Sequence, residues 1–391
     1  MRKAFRWGAV LVFLLLWTGL SLAEDYSIDP MIEEAIHRGM EYLFNLDFDR
    51  AEDEFQRIQE LEKDGPIAPF YFGILYLNRA GKEAEEEPRK EELERFLELM
   101  ELTINRAEEA IKKRERDGNL NLLLGMAYGA KAVVEGSLKK YLSAYQGIKK
   151  AYRHLEAASR VEPSKYDAYY GLGIYDYSMG KLPRTYRFLA SLILPEGGRD
   201  KGLQELGLAA ERGTYTRTSA KTILMQTYVN QENNYEKALP YAEDLKGRYP
   251  GNPEFYFYLG NIYSELDRFP EALAITEEAG RAIETGRLHF KKEMLPRYHH
   301  LLGKVYMDHG DLDKALELFK KVVASNSRQY AWVKAWAFVR MGMIHDLRGE
   351  REEAVRMYKR ALKVETRGIA KDYARMYLEE PYMQREKRRA D

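Results

Sequence analysis

The sequence predicts an all-α solenoid of stacked helix pairs, and three observations carry that prediction. First, His299 to Val323 reads HHLLGKVYMDHGDLDKALELFKKVV, with small or apolar residues at Leu302, Gly303 and Tyr306, then at Ala315, Phe319 and Val322. Steps of i, i+3, i+4 and i+7 mark amphipathic helices, and His309-Gly310-Asp311 between them marks a tight turn. Second, the same grammar returns at Phe338, Met341, Gly342, His345, Ala354, Tyr358 and Ala361, and at Tyr256, Leu259, Gly260, Tyr263, Ala272 and Ala279. Third, 391 residues with 45% hydrophobic and 32% charged side chains supply a long core together with solvated outer helix faces.

With the glycine as a ruler, further units centre on Gly39 (with Tyr42, Ala51, Phe55), Gly73 (with Phe72, Tyr76), Gly125 (with Leu124, Tyr128) and Gly173 (with Tyr169, Leu172). An eighth centres on Met225, flanked by Leu224 and Tyr228, with Ala238 and Pro250 behind it. Searching for such repeats comes first, because a missed repeat misreads the whole fold. The pattern resembles the tetratricopeptide repeat, over roughly residues 30–365. Only the first and fifth intervals between markers approach its period of about 34 residues. The resemblance implies a right-handed superhelical solenoid of about eight helix pairs. It also implies a concave groove, lined by the first helix of each pair, that holds a peptide or a partner helix.

Excess spacing marks insertions. One runs from Ala80 to Arg95 and includes the acidic run Glu83-Ala84-Glu85-Glu86-Glu87, read as a solvated loop entering a longer helix. A second, Val133 to Lys150, precedes the helix carrying Ala151, Leu155 and Ala158. A third, residues 180–198, is apolar and bracketed by Pro183 and Pro195. Folding back onto the array is its plain reading. Contact with a membrane or partner through Phe188, Leu189, Leu192 and Ile193 is the alternative. The Gly-Leu-Gly-Ile-Tyr-Asp-Tyr stretch with this insertion also resembles a divergent branch of bacterial envelope repeat proteins, which has no settled activity. The expected organisation is N-terminal units over 24–179, the insertion, C-terminal units over 199–365, and a capping helix with a charged tail over 366–391. A cap is needed because stacked repeats otherwise expose an apolar end.

The N-terminus reads as a secretory signal over residues 1–23: Arg2, Lys3 and Arg6, an apolar run Trp7–Leu20, then Ser21-Leu22-Ala23 before Glu24. The run is short for a spanning helix, which needs about 20 apolar residues. The expectation is therefore a cleaved signal and a periplasmic or secreted protein, with an uncleaved inner-membrane anchor as the alternative. The chain has no cysteine, which excludes disulfides and thiolate chemistry.

Basic and acidic residues number 62 each, so nothing steers the chain toward nucleic acid. The 7 histidines include no His-Glu-x-x-His spacing, and no phosphate loop or Gly-x-Ser-x-Gly elbow occurs. No catalytic residue, metal or cofactor is expected. By the family's habit, the groove presents Phe70, Ile74, Leu77, Leu122 and Met126 early, Asp167, Tyr170, Ile174 and Tyr177 in the middle, and Phe257, Asn261, His300, Lys304, Trp336 and Asp346 late. Tyr170, Tyr177, Phe257, Asn261, His300 and Lys304 are the expected partner-binding set, since aromatic and amide groups combine area with hydrogen bonds. The early apolar set is expected to be used up in packing between repeats. The expected function is a non-catalytic scaffold for a protein or peptide at the cell envelope. A glycan- or lipid-binding module using the Tyr-rich face and the insertion is the alternative.

Overall fold

A computed structural model describes residues 26–82, 90–114, 116–191, 193–327, 329–366 and 368–383. The expected signal segment, the run Glu83 to Pro88, Leu192 and the tail from Gln384 lie outside the described residues. Among the described residues eight helix pairs follow one another. They are α1 (Pro30–Phe44) with α2 (Phe48–Leu61), α3 (Ile67–Lys82) with α4 (Lys90–Ile111), and α5 (Gly118–Ser137) with α6 (Tyr141–Val161). The fourth pair is α7 (Ala168–Lys181) with α9 (Arg199–Arg212), and α8 (Arg184–Ser191) lies between its members. Then come α10 (Arg217–Asn230) with α11 (Tyr235–Arg248), α12 (Pro253–Glu265) with α13 (Phe269–Glu284), α14 (Leu295–His309) with α15 (Leu312–Ala324), and α16 (Ala331–Leu347) with α17 (Arg351–Lys363). A last helix, α18 (Ala370–Glu379), packs on α16 and α17 with Ala374 buried.

The local chemistry explains where these helices start and how closely they cross. Asp29, Asp117 and Asn234 accept from backbone N–H groups of the first turn at 2.7, 2.8 and 3.0 Å, which caps donors the helix leaves open. At the seventh turn Gly310 has φ +94, a left-handed conformation that glycine adopts without a Cβ penalty. Asp311 then caps α15. The marker glycines lie in the first helix of their pairs. A Cβ on Gly303 would stand 2.7 Å from the Phe319 ring, and one on Gly342 2.4 Å from the Tyr358 ring. Ala51, Ala272, Ala315 and Ala354 of the second helices are fully buried.

Two expectations change, and a third holds in part. The supposed insertion Val133–Lys150 is no loop: α5 and α6 simply run on, as 20- and 21-residue helices. The segment 180–198 interrupts the fourth pair rather than separating two sets of units, because α7 packs on α9 across it. A boundary there would cut one repeat in half. The segment folds back in part: Tyr145 donates to the Ile193 carbonyl and Tyr175 to the Pro195 carbonyl, while the Tyr186, Phe188 and Ile193 side chains stay exposed.

Long-range contacts then bend the first units into a ring. Asn252 Nδ2 donates to the Phe44 carbonyl at 2.9 Å, and Arg248 pairs with Glu41 at 2.6 Å. The Phe44 and Tyr249 rings pack at a tilt with centres 5.3 Å apart, and His37 stacks on Tyr215 at 5.7 Å. The first pair thus touches the fifth and the start of the sixth, and their first helices face one another across the middle.

Candidate binding site

Closure of the ring leaves a cavity of about 670 Å³ along its axis. The wall is made by the first helices of five successive units, together with α6. α1 supplies Ile36 and Met40, α3 Phe70 and Ile74, α5 Leu122 and Met126, α6 Ile148 and Tyr152, α7 Tyr170 and Ile174, and α10 Ile223. The early apolar set packs as expected and also borders this space: Phe70 and Leu122 are buried in the core, and Ile74, Leu77 and Met126 rest against it.

Three polar wall groups bond back to their own helices. Asn78 donates to the Ile74 carbonyl at 2.8 Å, Ser178 to the Ile174 carbonyl at 2.7 Å, and Thr222 to the Thr218 carbonyl at 2.9 Å. Asn119 donates to the Tyr26 carbonyl at 2.9 Å and accepts from Lys165 at 2.8 Å. Tyr175 donates to the Pro195 carbonyl at 2.5 Å. The hydroxyls of Tyr71 and Tyr170 have no hydrogen bond among the described residues; burial pushes the Tyr170 phenol up to about 12, so it stays a neutral donor. A wall of this kind offers hydrocarbon contact and very few hydrogen bonds.

The two ends differ. Near Asn119 and Tyr215 the channel adjoins a polar recess of about 250 Å³ that includes Glu33, Glu162, Lys165 and Asp167. Asp167 there accepts from the backbone N–H groups of Thr214, Tyr215 and Thr216 at 3.0, 2.8 and 2.7 Å, which fixes the entry to α10. At the far end the channel reaches the surface beside Val133 and Ser178, both exposed. Asn119 and Val133 lie on the same helix, so the channel is about 21 Å long at 1.5 Å rise per residue.

The residues expected to form one groove do not come together. Tyr170 lines the channel. Tyr177 instead donates to Glu232 at 2.6 Å, tying α7 to the end of α10. Phe257 is buried beneath Arg297, whose guanidinium lies 4.2 Å from the ring centre while pairing with Glu254. His300 is buried against Arg340 at 2.5 Å. Burial, and then the cations Arg340, Lys304 and Arg297, hold its imidazole well below the usual range, so it stands neutral. Lys304 is buried between Asp308 at 2.6 Å and Glu265 at 2.9 Å. Asn261 is half-buried. In the C-terminal units, neighbouring first helices approach closely enough to pair these groups with each other, which removes them from a groove. Of the insertion residues, Phe188 and Ile193 are exposed; Leu189 lies in α8 but its side chain, like Leu192, is outside the described set.

The wall residues that sequence reasoning missed include Met40, Gly129, Val133, Ile148 and Ile223. One signal for them was present: Gly125, Gly129 and Gly171 are small residues on first helices, and all three line the channel. Among the described residues no group of three or more metal-ligating acids and histidines forms, and no helix is long and apolar enough to cross a membrane.

Comparison with known proteins places repeats in the C-terminal units. The family model for tetratricopeptide repeats matches residues 226–283 and 295–365 in two versions. The model for regulator of microtubule dynamics protein 1-3 matches residues 75–248. A TPR repeat-containing protein, YpiA of Bacillus subtilis, is 25% identical over 186 residues, covering 47% of this chain and 39% of that protein. Response regulator aspartate phosphatase E of the same organism is 31% identical over 103 residues, covering 24% of this chain and 26% of its own. The chain thus spans well under half the length of these curated relatives. Among solved structures, yeast Tom70 aligns with 94% of this chain and 91% of its own at 12% identity and a TM-score of 0.38.

Proposed function

This chain is a tetratricopeptide-repeat protein, a scaffold of the protein-interaction kind, and from that premise we propose that its N-terminal ring holds a long acyl chain. The observation that carries this reading is the partly open channel of about 670 Å³, walled mainly by aliphatic and aromatic side chains. Its volume falls within the roughly 300–1,000 Å³ of small-molecule sites. A partner helix satisfies its own backbone, and solvent extraction with mass spectrometry separates it from a lipid. An extended peptide fits the width but would bury backbone N–H and C=O groups against a wall that leaves few partners. Each unpaired group costs on the order of 1–3 kcal/mol. A hydrocarbon tail carries no such penalty, and each methylene buried contributes about 0.8 kcal/mol.

The basic start and apolar run at the N-terminus support placing the protein at the cell envelope, where such amphiphiles are abundant. N-terminal sequencing of the protein recovered from fractionated cells tests that placement; an intact Met1 in the cytosolic fraction would end it. The acyl-chain reading is tested by denaturing the purified full chain and extracting it with organic solvent for mass spectrometry. An acyl lipid near one equivalent is expected. A co-purified peptide in its place, or an empty extract together with no uptake of added acyl lipid, overturns the reading.

A further inference from the structure

Among several stretches of the chain that are free of Asp and Glu, two lie side by side at the surface. Residues 136–155 read GSLKKYLSAYQGIKKAYRHL and residues 177–195 read YSMGKLPRTYRFLASLILP. They are far apart in sequence, but the fold joins them. Tyr145 donates to the Ile193 carbonyl at 3.4 Å, and the Tyr152 and Tyr175 rings pack at 4.7 Å. Tyr175 in turn bonds the Pro195 carbonyl, so the α6 hairpin and the α8 segment form one continuous surface.

That surface is apolar and basic at once. Tyr141 is 69% exposed, Leu142 72%, Tyr186 65% and Phe188 65%. Aromatic rings flanked by cations suit the headgroup level of a bilayer. Lys139, Lys140, Lys149, Arg184 and Arg187 are exposed and form no ion pair among the described residues. The position matters as much as the composition. Val133 lines the channel one turn before the hairpin tip, Ile148 and Tyr152 line it from α6, and Tyr175 and Ser178 line it from α7. The patch therefore surrounds the end at which the channel reaches the surface.

We propose that the α5–α6 tip and α8 form a docking surface for bilayers rich in anionic phospholipid, placed so that a docked lipid's acyl chain enters the channel between Val133 and Ser178. The docking half stands on the patch and its charge; the entry half rests on the acyl-chain reading above. Tail-first entry leaves the lipid headgroup among the lysines and arginines of the mouth, which selects a negative headgroup. Attachment through these cations is screened by salt, whereas the apolar contact is not.

The test uses the full chain with phosphatidylcholine vesicles, alone or mixed with phosphatidylglycerol. Hydrogen exchange is read across the molecule, so binding by the N-terminal apolar run is separated from docking here. Anionic vesicles should protect the amides of 137–149 and 184–191, and neutral vesicles should not. Lys140→Glu with Arg184→Glu, and separately Leu142→Ser with Phe188→Ser, should lower the vesicle-bound fraction at least tenfold, and the Leu142→Ser, Phe188→Ser variant, whose residues do not line the channel, should leave solution binding of a fluorescent fatty acid unchanged. Equal protection by neutral vesicles, no protection of these segments, or indifference to charge reversal overturns the docking surface. Intact docking with no fatty-acid binding would remove the acyl-chain reading and leave the surface standing.

Discussion

Glu205 shows how a single buried group sets the response to pH. It sits on α9 beside Asp176, which is fully buried on α7, and Lys201 reaches Asp176 at 2.8 Å and Glu205 at 3.6 Å. Burial first, and then the neighbouring Asp176, push the Glu205 carboxyl up to about 8. A raised folded pKa means the native state binds more protons than the unfolded chain between about 4.5 and 8. The associated stability is present below that window and is lost as pH rises through it. Glu205→Gln should flatten the loss of melting temperature between pH 5 and pH 9, with the larger gain at pH 9. Parallel curves for variant and parent would show that Glu205 carries no such charge penalty. None of this was legible in the sequence, where Glu205 reads as an ordinary acid on a helix surface; only the packing of α7 on α9 brings it to Asp176.

The helices themselves were legible because their crossings leave no freedom. Gly342 must be small, since a Cβ there meets a Tyr358 ring that is fully buried and held by its hydroxyl to Asp346 at 2.8 Å. The ring cannot swing away. Gly342→Val should lower the unfolding free energy by ~1–3 kcal/mol, the usual cost of overpacking, as read by urea denaturation. A neutral result would mean that the two helices separate easily. The same sterics write the glycine, alanine and aromatic spacing into each unit, and so eight pairs could be counted from residues alone. Spacing fails where an insertion and a longer helix use the same number of residues, as between Val133 and Lys150. It fails again for the late groove residues. His300 and Lys304 occupy groove positions by repeat arithmetic, but Arg340, Asp308 and Glu265 on the same and adjacent first helices take up their hydrogen bonds.

For the whole molecule, the decisive feature is a closure that no local pattern encodes. Phe44 and Asn252 lie more than two hundred positions apart, and their bond depends on the summed turn of five units. Asn252 also caps α12 through the Glu254 N–H at 3.1 Å. Asn252→Ala should therefore cost about 1–2 kcal/mol and speed hydrogen exchange in residues 30–44. Unchanged exchange there would mean that the ring is held elsewhere. Apolar groove residues in an open superhelix read as packing; only closure turns them into the wall of a channel.

Gly129 offers the most direct test of that channel. A Cβ at this position meets nothing nearer than the Ala151 Cβ at 3.7 Å, and the residue lines the cavity from the middle of α5. Leucine there favours the helix by up to about 0.8 kcal/mol over glycine and fills space that an acyl chain would occupy. Titration of a fluorescent fatty acid into Gly129→Leu, with urea denaturation alongside, should show stability equal to or above the parent and affinity reduced at least tenfold. Retained stability with undiminished affinity would contradict a ligand held inside the ring.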